Sequence, residues 1–178
     1  MNKNIKRFLP LLLTVTVILL DQVSKLLVVK NIGLNQIYRS FFGDFIQIVH
    51  VRNTGAAFSF GAHTTGFLHT FMLIIVPVLV MVFLLYLVLS EKNSSFNYYQ
   101  KFILAGIAGG GIGNLIDRIL RSSSGGVIDF ISVRFYGLFG LDRFPTFNIA
   151  DSSVVVCAFL LIISFVVEWG KKRKNGCK

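Results

Sequence analysis

Four apolar runs leave this chain few ways to fold. They extend over Phe8 to Leu20, Phe67 to Leu89, Phe102 to Leu120 and Ile149 to Trp169; the first reaches on to Val29, with Asp21 and Lys25 interrupting it. A bilayer core needs about 20 predominantly apolar residues per helix. Backbone groups in lipid must be satisfied within the segment, so such runs become helices. Spans are therefore expected at about 8–29, 67–89, 102–120 and 149–169, with Pro77 as a kink in the second. Composition agrees: 54% of the 178 residues are hydrophobic and 15% charged, against roughly 45–50% and about 25% in soluble domains. One domain is expected, and disorder is excluded because its signature is low hydrophobicity. A positive start before a short apolar run also describes a signal peptide. No A-x-A-like site follows, however; Asp21-Gln22-Val23-Ser24-Lys25 stands there instead, which favours an uncleaved helix. A disulfide framework is excluded as well, since Cys157 and Cys177 would lie roughly 30 Å apart on a helix.

The net charge of +10 is placed as a topology signal rather than a phosphate-binding surface, so nucleic acid is not expected as a partner. Lys3, Lys6 and Arg7 precede the first run, Lys92 and Lys101 lie between the second and third, and Lys171, Lys172, Arg173, Lys174 and Lys178 follow the last. These segments hold ten of the eighteen Lys and Arg residues, which places both termini in the cytoplasm. Residues 30–66 and 121–148 then face outward, and five of the six aspartates (Asp21, Asp44, Asp129, Asp142 and Asp151) fall in or near that zone. Phe45 to Arg52 alternates Ile46 and Ile48 with Gln47 and reads as a strand, closed by the turn signal Asn53-Thr54-Gly55. The expected fold is a membrane-embedded, all-α bundle of four transmembrane helices carrying a small extracytoplasmic β platform on the membrane interface.

Polar residues recur inside the spans at one spacing. Asp21, Ser24 and Lys25 stand at i, i+3, i+4, and so do Asn114, Asp117 and Arg118, and Asn148, Asp151 and Ser152. On helices each trio makes one polar face. A charge at mid-bilayer costs about 2.5–3.5 kcal/mol on insertion scales, so such faces turn inward. Three of them at one depth imply a shared polar site, or else salt bridges of Asp117 with Arg118 and Asp21 with Lys25 that hold the bundle together. Asp129 and Asp151 should meet at the outer end. In a poorly hydrated pocket two carboxylates share a proton, which equips one as general base and the other as general acid. Proton or cation binding is the alternative use of such a pair.

Other chemistries fit less well. His50, His63 and His69 form no zinc motif, so no metal is expected. Ser24 and Lys25 are adjacent on a helix and do not face each other. Cys157 lies in a span with no His partner. Gly106, Gly109, Gly110 and Gly113 form two overlapping G-x-x-x-G pairs, which let helices approach closely; a phosphate-binding loop would need a G-K-[ST] ending. A small transporter would also bury Asp, Asn and Lys, but it would usually show paired repeats.

Five stretches carry a family resemblance: Asp21-Gln22-Val23-Ser24-Lys25, Asn53-Thr54-Gly55-Ala56-Ala57-Phe58, Gly113-Asn114-Leu115-Ile116-Asp117-Arg118, Gly125 to Phe130, and Phe147-Asn148-Ile149-Ala150-Asp151. In this order, with four spans between them, they resemble lipoprotein signal peptidase (signal peptidase II), the intramembrane aspartic peptidase of bacteria. The resemblance implies cleavage of prolipoproteins before a diacylglyceryl-modified cysteine, with Asp129 and Asp151 as the catalytic pair. Asp21, Lys25, Asn53, Gly55, Asn114, Asp117, Arg118 and Asn148 would surround or support the pocket, and Asn148 could orient a carboxylate or donate to the developing oxyanion. The resemblance also implies that no cofactor is needed, that membrane lipid and globomycin-type inhibitors are partners, and that the site opens at the outer face of the cell membrane. A monomer is expected. The stretch 131–144, aromatic and Gly-rich, is expected to be a lid, a strand connection or an interfacial anchor.

Overall fold

The computed structural model describes residues 3–55, 66–90, 96–121 and 126–176. His63, Glu91, Lys92, Cys177 and Lys178 lie outside these residues, as do Ala56, Ala57 and Phe58 of the second motif and Gly125 of the fourth.

Helix α1 is Lys3–Asn31. The second span is a composite of α2 (Gly66–Thr70), a π-helical turn (Phe71–Ile75) and α3 (Val76–Leu89). Helix α4 is Tyr98–Leu120 and α5 is Ile149–Gly176. Among the described residues these make four helical stretches long and apolar enough to cross a membrane. Helices run over all four of the apolar stretches, with ends a few residues further. Pro77 has a subtler outcome than a kink. Its ring and missing N–H disrupt the turn that precedes it, and the chain there widens into the π turn.

Helix α4 is the centre of the bundle, packed against α1, α3 and α5. Its glycines make this possible. A Cβ on Gly109 would stand 2.9 Å from the Thr14 carbonyl oxygen of α1, and one on Gly110 would collide with the Ala150 carbonyl oxygen of α5. The G-x-x-x-G pairs therefore serve helix packing, as their spacing predicts. At one end of the bundle, Arg7 Nε donates to the Leu89 carbonyl, and Asn97 on the N-cap of α4 bonds Glu168 of α5.

A small antiparallel sheet covers the other end, in the order β1 (Ile37–Phe41), β2 (Ile46–Asn53) and β3 (Val127–Val133). Strand β2 matches its predicted position within one residue. Strand β3 escapes the alternation rule because it is covered on both faces at its start. Ile128 and Phe130 pack on Val28 and Ile32 of α1, while Asp129 points the other way. A bulge between Ile48 and Val51 puts one extra residue into β2 and sets Val51 opposite Asp129. Beyond β3 the chain turns through a 3-10 segment, Leu138–Gly140, and runs back beside the strand. Phe147 exchanges backbone hydrogen bonds with Ile131 (2.8 and 3.0 Å). The stretch 131–144 is thus a strand connection, and it delivers Asn148 beside Asp129.

Candidate active site

Asn148 is not part of a helical polar face. It precedes α5 and caps it: its Oδ1 accepts from the Asp151 N–H at 2.9 Å, and Asp151 Oδ2 accepts from the Asn148 N–H at 3.1 Å. This reciprocal box satisfies two backbone donors at the helix entrance. It also leaves the Asn148 amide nitrogen free to bond Asp129 Oδ1 at 2.7 Å. A second asparagine, Asn114 of α4, donates to Asp151 Oδ1 at 2.8 Å. Its own oxygen accepts from Asn148 at 3.1 Å and from Lys25 Nζ at 2.9 Å. Asp129 and Asp151 thus belong to one hydrogen-bonded set, joined by two asparagines. Asn53, at the end of β2, completes it by donating to Asp129 Oδ2 at 3.1 Å.

Asp129 retains only 2% of its exposure. Burial, and then the neighbouring charge of Asp151, push its carboxyl up to about 7, against the opposing pull of Asn53, Asn148 and Lys25. Arg118 interacts electrostatically with both Asp151 and Asp129, and its Nη2 donates to the Gly55 carbonyl at 3.3 Å. A cavity of about 550 Å³ lies against Asn53 and Arg118 and is lined further by Thr54 of the platform, His69, Thr70, Leu73 and Ile74 of the second span, Ile119 of α4, and Gly126. Three aliphatic side chains, three uncharged polar ones and the two basic ones of His69 and Arg118 meet there.

Beneath the pair lies a buried ionic cluster. Lys25 Nζ is 2.7 Å from Asp21 and 3.0 Å from Asp117, and all three side chains are fully buried. The expected Asp21–Lys25 bridge is present. The expected Asp117–Arg118 bridge is not: Asp117 pairs with Lys25 and Arg121, because neighbouring helix residues point about 100° apart while i+4 residues align. Arg118 faces the carboxylate pair instead. Sequence reasoning missed Arg121, although its i+4 spacing from Asp117 was a usable signal. It also missed Gln22, which donates to Asp21, Asp117 and the Gly113 carbonyl. Asp21 further accepts from the Ala150 N–H at 3.0 Å and Asp117 from the Ile128 N–H at 3.2 Å. The cluster thereby locks α1, α4, β3 and the start of α5 around the pair. Every motif residue named from the sequence within the described segments is brought to this end of the bundle. Among the described residues no group of three His, Cys, Asp or Glu side chains could hold a metal ion.

Four spans capped by a small sheet, with two carboxylates at their junction, define a polytopic membrane protein with a buried acidic site. The family model described as signal peptidase (SPase) II matches residues 13–167. The chain is 45% identical over 163 residues to the lipoprotein signal peptidase of Treponema pallidum (strain Nichols), covering 92% of this chain and 86% of the relative. It is 47% identical over 146 residues to that of Borrelia hermsii (strain HS1 / DAH), covering 82% of each. A bacterial membrane enzyme solved by the in meso method superposes with a TM-score of 0.75 at 29% identity, over 92% of this chain and 90% of that one. The chain belongs to the signal peptidase II family.

Proposed function

We propose that this protein is an aspartic endopeptidase of the bacterial cell membrane that removes signal peptides from diacylglyceryl-modified prolipoproteins, cutting before the lipidated cysteine. The observation that carries the reading is that Asn148 bonds both Asp129 and Asp151, and bonds in turn the Asn114 that holds Asp151. The family membership supports the substrate class, and the relatives bear the name lipoprotein signal peptidase. The basic flanks of the spans support cytoplasmic termini and a site at the outer face, where a translocated signal peptide presents its cleavage bond.

In the mechanism, Asp151 removes a proton from water as the water attacks the scissile carbonyl. Asp129, the carboxyl held protonated by burial, donates to the carbonyl oxygen and then passes its proton to the leaving amine. Asn148 holds Asp129 in place and supplies an amide beside the developing charge. No acyl-enzyme forms. Purified protein in detergent should cut a diacylglyceryl prolipoprotein and leave the same polypeptide with an unmodified cysteine intact, as read by mass spectrometry. Equal cleavage of both would remove lipid recognition from the reading, and cleavage of neither would remove the peptidase.

The raised Asp129 fixes a sign for the pH dependence. Its acid form prevails below about 7 and is lost above it, so kcat/KM should fall about tenfold per pH unit on the alkaline side. Asn148→Ala deletes a bond that favours the charged form, so the alkaline limb should move upward. A flat profile between roughly pH 5 and 9 would exclude a proton shared by the pair.

A further inference from the structure

The turn Asn53-Thr54-Gly55 carries a side chain that touches Asp129, yet it lies at the exposed end of a strand. Within the turn, the Gly55 N–H donates to Asn53 Oδ1 at 3.0 Å, which aims the Asn53 amide at Asp129. Two side chains from the helices then hold the turn from outside. Arg118 of α4 donates to the Gly55 carbonyl at 3.3 Å, and His69 Nε2 lies 3.2 Å from the Thr54 carbonyl oxygen. A carbonyl oxygen only accepts, so His69 must carry its proton on Nε2. His69 is the next-to-last residue of α2, which runs directly into the π turn at Phe71–Ile75. Such turns reset the register of a helix and often accompany functional sites. His69 also lines the cavity that Asn53, Thr54 and Arg118 line.

We propose that His69 is a positioning residue for the peptidase reaction, holding the Thr54 carbonyl so that Asn53 stays bonded to Asp129. The second span is thereby tied to the catalytic carboxyl through three links: His69 to Thr54, Gly55 to Asn53, and Asn53 to Asp129. A substrate residue entering the cavity lies against the first of them. Loss of His69 frees the turn, weakens the Asn53 bond and leaves Asp129 less well oriented. The proposal rests on the function assigned above.

The test compares His69→Leu, which keeps bulk and removes the donor, with His69→Gln, whose amide nitrogen reaches nearly the same point. Both are assayed on a diacylglyceryl prolipoprotein, alone and in an Asn53→Ala background. His69→Leu should lower kcat about tenfold with KM within about twofold, and His69→Gln should restore most of the loss. In the Asn53→Ala background, His69→Leu should add little, since the linkage is already broken. Equal kcat for His69→Leu and wild type, a loss confined to KM, equal loss in His69→Gln, or full additivity with Asn53→Ala would each overturn the role. Wild type and Asp129→Asn run alongside. If they cut and fail to cut, respectively, any such failure concerns His69 alone. If wild type leaves the lipidated substrate intact, the peptidase reading falls and this role falls with it.

Discussion

Asp129→Asn and Asp151→Asn are each expected to lower kcat by at least about 1,000-fold, while the protein stays folded in detergent. General acid–base catalysis by one positioned group contributes roughly 10²–10⁴-fold, and in the proposed mechanism each group performs a different proton transfer. The amide keeps the shape of the carboxyl and can still donate a hydrogen bond, but it cannot pass a proton on. The structural cost is moderate. Asp129 accepts from Asn53 and Asn148, and Asp151 from Asn114 and the Asn148 N–H; an asparagine keeps one of its two acceptors and leaves one donor unpaired, at a cost of about 1–3 kcal/mol. The double variant should be scarcely worse than either single one, because residues that act as a unit do not contribute additively. Single-turnover cleavage of a diacylglyceryl prolipoprotein, with thermal unfolding as the folding control, decides the matter. Normal cleavage by either variant would remove that aspartate from the pair.

The second large effect concerns stability. Lys25→Met removes the cation that, among the described residues, touches both Asp21 and Asp117, and all three side chains are shielded from solvent. Breaking a buried ion pair from one side leaves uncompensated charge and costs about 3–5 kcal/mol. Asp117 keeps Arg121; Asp21 keeps the Ala150 N–H and Gln22, neither of which carries a charge. The loss should therefore concentrate on Asp21, and Lys25→Met with Asp21→Asn should recover part of it. Thermal unfolding of the purified variants gives the comparison. A Lys25→Met protein as stable as wild type would mean that the cluster is not a structural lock.

The two effects separate the layers of the site. Asp129 and Asp151 are the proton-transferring pair of the proposed mechanism, whereas Asp21, Lys25 and Asp117 bind together the elements that carry them. The i, i+4 spacing of Asp21 and Lys25 was readable as a bridge, and that of Asp117 and Arg121 could have been. Nothing in the local pattern distinguished Arg118, which faces the carboxylate pair, from a partner of Asp117.

Local pattern sufficed for the spans, for strand β2, for the basic flanks and for the residues that gather at one end of the bundle. Span length, charge bias and i, i+4 spacing are all short-range properties, and five motifs in order were enough to indicate the family. The tertiary structure alone decided how those residues meet. Asp129 sits on a strand that α1 covers on one face while the asparagines of the site cover the other, and double coverage erases the alternation that marks a strand. Asn148 became a cap that reaches Asp129, 19 positions away, and Lys25 became the partner of Asn114, 89 positions away. Contacts at such separations depend on where each helix packs, and here the glycines of α4 set that packing by letting α1 and α5 close to backbone distance.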